Sequence, residues 1–217
     1  MSKQALYDFD GTITSKDTTI LLLVELLKLK PLRFFGLIWF LLRMHTSAST
    51  LSKQKYKNKA IGYLIKDLSD MHLSKTLKDF SNKVRLLYRP SILIAIDQAY
   101  QEGCTLLVVT ASPSFAIKYC VSDLPVIVIG TEFEKKENIY TGLLKSKNCY
   151  GQEKVNRINK WAASKNLTLN VQSAWSDHLS DFDMLNMAAK RNWIGGEQLR
   201  KLVMELDAEA NFLNLES

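Results

Sequence analysis

The sequence predicts an α/β fold: a parallel sheet covered on both faces by helices, with a helical subdomain inserted after the first strand. Three observations carry this reading. A short apolar run, Ala5 to Tyr7, leads into Asp8-Phe9-Asp10-Gly11 near the start of the chain. From residue 91 onward, apolar runs of strand length alternate with segments of helical period, the pattern of strands joined by crossover helices. Between them, residues 49–88 are lysine-rich, nearly free of glycine and periodic only at helical spacing, as in Leu64, Ile65 and Leu68, then Leu73, Leu77 and Phe80.

Taken in order, the apolar run before Asp8 reads as the first strand. Residues 18–46 then read as two helices, because Pro31 should end one and can open the next at its first turn. Lys28, Lys30 and Arg33 make the elbow between them basic. The uncharged runs on either side, 18–24 and 34–42, fall well short of the roughly 18 residues of a spanning helix. Two expectations remain open for this segment. Its helices are buried against the rest of the insertion, or Phe34, Phe35, Leu37, Trp39 and Phe40 form an interfacial patch with the basic residues on anionic headgroups.

Past Arg89 and Pro90 the expected elements are a helix at 91–101, a strand at 105–110, a helix at 114–121, a strand at 125–129 and a hairpin-like stretch at 136–144. A helix at 152–164, a strand at 169–176, a helix at 180–189, a short strand at 193–194 and a helix at 197–206 complete the chain. The expected division is a core of residues 1–14 and 89–217 with a helical cap at 15–88.

Composition fits a globular chain. With 217 residues, 47% hydrophobic and 24% charged, it can bury a substantial core. A formal charge of +7 points to anionic partners, whether phosphorylated metabolites, a lipid headgroup surface or nucleic acid. Cys104, Cys120 and Cys149 are odd in number and lack any CxxC spacing, so neither a disulfide framework nor a zinc site is expected, and a reducing cytoplasm is the expected compartment. Asp8 and Asp10 fall where an apolar leader would begin, so no signal peptide is expected.

The chemistry gathers at the strand ends. Strand alternation puts Asp8 and Asp10 on one face and Phe9 on the other. Two such charges roughly 7 Å apart repel by about 2–3 kcal/mol at an effective dielectric of about 20, so the pair should hold a shared proton or a cation, unless it is an ordinary solvated turn. In an open parallel sheet, ligands bind beyond the carboxyl ends of the strands. There the sequence places Asp8 and Asp10, then Thr110, Ala111 and Ser112, then Asp177, His178 and Asp181. Carboxylates and hydroxyls without cysteine or paired histidines make a hard oxygen site, which favours Mg²⁺. An EF-hand is excluded, because the twelfth position counted from Asp8 is Thr19, and no GxxxxGK[ST] loop is present. Lys154 falls in the first turn of a helix, where the macrodipole disfavours a cation, so a partner nearby is expected beside the carboxylates, unless it is an ordinary exposed lysine. His178 reads as a loop histidine, and His45 and His72 show no ligand spacing.

Together DFDGT, VVTAS, Lys154 and SDHLSD resemble the four-part signature of the haloacid dehalogenase-like (HAD) superfamily, in order and in spacing. The resemblance covers about residues 4–14 and 90–195 and implies a Rossmann-like core. It further implies that Asp8 is a nucleophile, Asp10 a general acid/base, Thr110 a phosphate-binding hydroxyl flanked by Ala111 and Ser112, and Lys154 the cation that neutralises phosphate. Asp177 would bind Mg²⁺ with Asp8 and the backbone carbonyl of Asp10, supported by Asp181. Dehalogenase members lack an aspartate at the Asp10 position, so its presence implies phosphoryl transfer.

The insertion resembles the cap of subfamily IB, which includes phosphoserine phosphatase and phosphatidylglycerophosphatase C. By that resemblance Asp17 contacts substrate, although an acid favoured by a helix N-terminus is an equal explanation. Ala111, Ser112 and Ser176 depart from the glycines of the phosphoserine pattern. The resulting expectation is an Mg²⁺-dependent phosphatase of a lipid phosphate, with a soluble metabolite second. A phosphorylated substrate and peripheral contact with an anionic membrane are the expected partners, and nucleic acid is not. The non-enzyme alternative is a basic protein that binds membrane surfaces or nucleic acid.

Overall fold

The computed structural model describes residues 2–214. A six-stranded sheet has the order β3-β2-β1-β6-β7-β8, formed by Val126–Thr131, Cys104–Pro113, Lys3–Tyr7, Val171–Ser176, Ala188–Gly195 and Asn211–Asn214. All five pairings are parallel. β1 lies between β2 and β6, so the chain fills the sheet to one side of β1 and then to the other, and the crevice at that reversal opens beyond the carboxyl end of β1.

Alternation along the inner strands builds two cores. Ala5, Tyr7 and Val108 face one side, where the Tyr7 hydroxyl donates to the Ala95 carbonyl at 3.1 Å on α5 (Pro90–Gln101). Leu6, Leu107 and Val109 face the other, against Ile158 of α7 (Gln152–Ser164) and Trp193 of β7. Each such buried aliphatic side chain contributes roughly 1.5–3 kcal/mol. The apolar run of β2 is thus the run expected of a strand covered on both faces, whereas β3, at the sheet edge, leaves Ile127 exposed.

The insertion is helical throughout its described length: α1 (Thr19–Leu27), a 3₁₀ turn begun by Pro31, α2 (Phe34–Thr46), α3 (Thr50–Ile65) and α4 (Asp70–Arg85). Ser49 caps α3, accepting the Ser52 amide, and Ser69 and His72 form a capping box at the start of α4, which gives His72 a structural role. The chain leaves and re-enters the core side by side: Thr14 bridges Tyr88, and Ser15 N–H donates to the Leu87 carbonyl at 2.8 Å. β4 (Phe133–Lys136) and β5 (Ile139–Leu144) form the expected hairpin, turning through Glu137 and Asn138 at φ 50° and 65°.

Two expectations need correction. The helix expected at 180–189 is a 3₁₀ turn, Leu179–Asp181, followed by α8, Phe182–Leu185 alone. Ala188 already pairs with Val171, so β7 takes residues given to that helix and extends the short strand expected at 193–194 to eight residues. Lys190 and Arg191 hid it, because charged residues are poor strand signals even where the backbone pairs on both sides. The second correction concerns α2, of which Leu37 is buried while Phe34, Phe35 and Trp39 are exposed, so it is not a fully buried cap helix.

The hairpin and α3 meet at two glycines. A β-carbon on Gly62 would stand 2.0 Å from the Gly142 carbonyl oxygen. Gly62→Ala should therefore lower stability by about 1–3 kcal/mol through overpacking, despite alanine's advantage of about 1 kcal/mol inside a helix. Urea denaturation decides the sign, and a variant more stable than wild type would contradict this packing.

Candidate active site

β1 ends at Tyr7, and residues 9–13 turn sharply beyond it. Asp8 stays tied to the sheet, its amide donating to the Trp175 carbonyl at 2.9 Å, while Phe9 is buried in the core. Gly11 is required twice over: its φ is +82°, and a β-carbon there would lie 1.9 Å from Asp177 Oδ2. The turn thus brings the first strand's carboxylates against the loop that follows β6.

Lys154 provides the central contact. From the first turn of α7 its Nζ donates to Asp8 Oδ1 and to Asp181 Oδ2, each at 2.7 Å, with all three side chains buried. Asp181 Oδ2 also accepts from Ser176 Oγ at 2.7 Å, whereas its buried Oδ1 has no partner among the described residues. Asp177 Oδ1 accepts from Thr12 Oγ1 at 3.3 Å.

Electrostatics follow from this packing. Burial pushes the Asp8 carboxyl well above the usual range; Lys154 draws it back only in part, and Asp181 and Asp177 add repulsion. Burial alone would lower the Lys154 ammonium, but Asp181 and Asp8 outweigh it and hold it above the ordinary lysine range. Asp177 is likewise raised, first by burial and then by Asp181. Three carboxylates against one ammonium leave a formal excess of two negative charges.

Among the described residues no three His, Cys, Asp or Glu side chains close into a metal cage. Lys154 stands between two of the candidates, Asp8 and Asp181. The residues nonetheless fit a hard divalent cation: the unpartnered Asp181 Oδ1, the absent side chain of Gly11 beside Asp177 and the surplus of negative charge all favour one. Mg²⁺ in particular needs only one or two carboxylates and keeps several waters.

The remaining expected residues divide. Thr110 and Ala111 line the cleft; Thr110 Oγ1 accepts the Ser112 amide at 3.0 Å, which leaves its own proton free to give. Ser112 does not line the cleft. It is buried and donates to Asp10 Oδ2, which makes it a support for the acid/base candidate. Asp10 Oδ1 accepts from the amide and hydroxyl of Thr18 at 2.8 and 2.7 Å, which ties it to the entrance of the cap. Asp17 accepts the Thr19 amide at 2.7 Å, as an acid at a helix start does, and also borders the cleft. His178 Nδ1 accepts the Ser180 amide at 3.1 Å, capping the turn after β6.

Two residues at the site escaped the sequence, one lining the cleft and one bonded to its first turn. Lys57 of α3 is buried with its Nζ 3.6 Å from Asp17 Oδ2. It lies among Lys53, Lys55 and Lys59, and only its helical phase, four residues before the buried Ile61, sets it apart. Arg89 donates through Nε to the Gly11 carbonyl at 3.3 Å from the strand of chain that returns from the cap, a contact no local pattern signals.

A family model for haloacid dehalogenase-like hydrolases matches residues 5–186. The chain belongs to this family of hydrolases. Solved structures share its fold at low identity. A protein of unknown function from Bordetella pertussis Tohama I superposes with a TM-score of 0.81 at 19% identity, with 100% of each chain covered. A HAD family hydrolase from Salmonella enterica serovar Typhi gives 0.65 at 13%, over 99% of this chain and 67% of its own. A phosphoserine phosphohydrolase-like protein from Francisella tularensis SCHU S4 gives 0.61 at 19%, over 97% and 94%. No curated protein matches the chain in sequence.

The buried charges predict a stability effect. Lys154→Met removes the one cation and leaves Asp8 and Asp181 facing each other in a buried site, which should cost about 3 kcal/mol or more in urea denaturation. A loss below about 0.5 kcal/mol would mean that the pair is solvated, as surface pairs are.

Proposed function

We propose that the protein is an Mg²⁺-dependent phosphomonoester hydrolase that transfers the phosphoryl group to Asp8. The single observation carrying this reading is the placement of Asp8, held at Oδ1 by Lys154, in one cleft with Asp10, Thr110 and Asp177. Membership of the hydrolase family supports it, and the all-helical insertion supports a place in subfamily IB.

Asp8, Asp177, Asp181 and the carbonyl of Asp10 would hold Mg²⁺, which when bound would offset the charge of the incoming phosphate. Lys154 adds its charge beside the attacking carboxylate and Thr110 donates to a phosphate oxygen, so that an anionic nucleophile can approach an anion. The Asp8 oxygen–phosphorus bond forms as the ester bond breaks, and Asp10 gives its proton to the departing oxygen. Water then attacks the phosphorus of the aspartyl phosphate, Asp10 takes its proton back, and Asp8 is restored with release of phosphate. Ser112 suits both states of Asp10, because a hydroxyl donates to a carboxylate and accepts from a carboxylic acid.

The leaving group would be small and polar. The cleft encloses about 170 Å³, below the roughly 300–1,000 Å³ of drug-sized sites. Asp17 and Lys57 on its wall offer one charge of each sign, suited to a soluble phosphorylated metabolite with an ammonium or carboxylate group. The Francisella relative, by its description, fits this reading better than the lipid phosphate expected first. A lipid phosphate is the second reading, favoured by one observation: a groove of about 490 Å³ lined by Leu51, Leu143 and Leu144 adjoins the cleft and shares Gln54 and Tyr150 with it.

Phosphate release should require Mg²⁺, stop on chelation with EDTA, and fall at least about 10³-fold in Asp8→Asn, the scale of losing a nucleophile. Across a panel of phosphoserine, sugar phosphates and phosphatidylglycerophosphate, kcat/KM should be higher for small polar esters. Lys57→Met should raise KM more than it lowers kcat. No release from any ester, or full activity in Asp8→Asn, would overturn the assignment.

A further inference from the structure

The basic charge of this protein is concentrated in one part of the cap. Residues 26–66 contain nine Lys and Arg and no Asp or Glu, which leaves the rest of the chain at −2 against a total of +7. The same stretch contains α2, which is apolar almost all round. Its inner side, with Leu37 buried and Phe40 and Leu41 partly so, packs on the cap. The opposite side presents Phe34, Phe35, Ile38, Trp39 and Leu42 to solvent, with Phe35 82% exposed, and Leu32, at 94%, continues the patch onto the elbow. A helix apolar on every side normally sits inside a protein core or a membrane, and a contiguous exposed patch of this kind marks an interaction surface.

α2 is held as a firm element. A β-carbon on Gly36 would come within 2.4 Å of the Tyr63 hydroxyl, so the glycine lets α2 lie close on α3, and Trp39 and Phe40 stack edgewise or tilted on Tyr56 and Tyr63. Arg43 lies at the rim of the patch with its guanidinium 5.6 Å from the Trp39 ring. At the other end Arg33 and Lys30 reach Asp67, and Lys28 pairs with Glu25. The apolar face is therefore bordered at both ends by cations, with those two carboxylates as their only acidic neighbours in the contacts made by α2 and its elbow among the described residues.

We propose that α2 docks the protein on the surface of an anionic lipid bilayer, lying in the interfacial plane. No helix among the described residues is long and apolar enough to cross a membrane, so the contact is peripheral. The aromatic and leucine side chains enter the headgroup boundary, and the cations at the helix ends face anionic headgroups. A second copy of the chain would bring the same basic residues together, whereas an anionic surface neutralises them. Nucleic acid would satisfy the cations but leave the leucines in water.

Vesicle flotation tests this directly and does not depend on catalysis. The protein should float with vesicles of phosphatidylcholine and phosphatidylglycerol, bind phosphatidylcholine alone at least about tenfold more weakly and be released by high salt. Asp8→Asn should float as wild type does, so a failed phosphatase assay and a failed docking surface are distinguishable. Phe35→Glu/Leu42→Glu, both on exposed positions and checked for folding by circular dichroism, should abolish flotation. Arg43→Glu should weaken binding about fivefold or more. Brominated lipids should quench tryptophan fluorescence in wild type but not in Trp39→Phe. Absence of binding to anionic vesicles at low salt, or undiminished binding of the double variant, would overturn the proposal. A dimer seen by ultracentrifugation that the double variant dissolves, or binding to an oligonucleotide in place of vesicles, would do so as well.

Discussion

Lys154 placed between Asp8 and Asp181 is the interaction on which the rest of the site depends. It fastens α7 to the end of β1 and to the turn after β6, so three separated stretches of chain meet at one ammonium group. Burying these groups costs several kcal/mol of hydration per ion, and their mutual attraction recovers it only with good geometry and further hydrogen bonds. Ser176 supplies one such bond to Asp181. One oxygen of Asp181 goes without, and the carboxylates outnumber the cation. That imbalance is poor design for stability alone, and it suits a site whose charge is completed by a cation and a phosphate.

The same arrangement couples chemistry to the cap. Asp10 receives two hydrogen bonds from Thr18 at the cap's entrance, and Arg89, on the returning chain, reaches the Gly11 carbonyl between Asp10 and Thr12. Movement of either connection is therefore felt at the acid/base candidate. Lys57 and Asp17 arrive from the cap as well, so core and cap both line the cleft. The exposed face of α2 belongs to this same subdomain.

Much of this was legible in the sequence wherever one physical constraint dominated. A strand buried on both faces needs an apolar run, and β2 has one; a lysine in the first turn of a helix favours a nearby partner of opposite charge. The strands at the far edge were harder to read. β7 carries Lys190 and Arg191, and β8, Asn211–Asn214, follows a helix with no strong alternation to announce it. The bond from Ser112 to Asp10 joins positions far apart in the chain, and no local pattern announces it. α2 was ambiguous for a deeper reason: a segment apolar on every side has no periodicity to say which face is covered.

The central claim is that Asp8 becomes phosphorylated, and trapping the acyl phosphate tests it most directly. Borohydride reduces an aspartyl phosphate to homoserine, and peptide mass spectrometry locates the change. Protein quenched during turnover of a phosphomonoester with Mg²⁺ should carry homoserine at position 8, and protein without substrate should carry none. Steady turnover with an unmodified Asp8, or homoserine at another aspartate, would contradict the account.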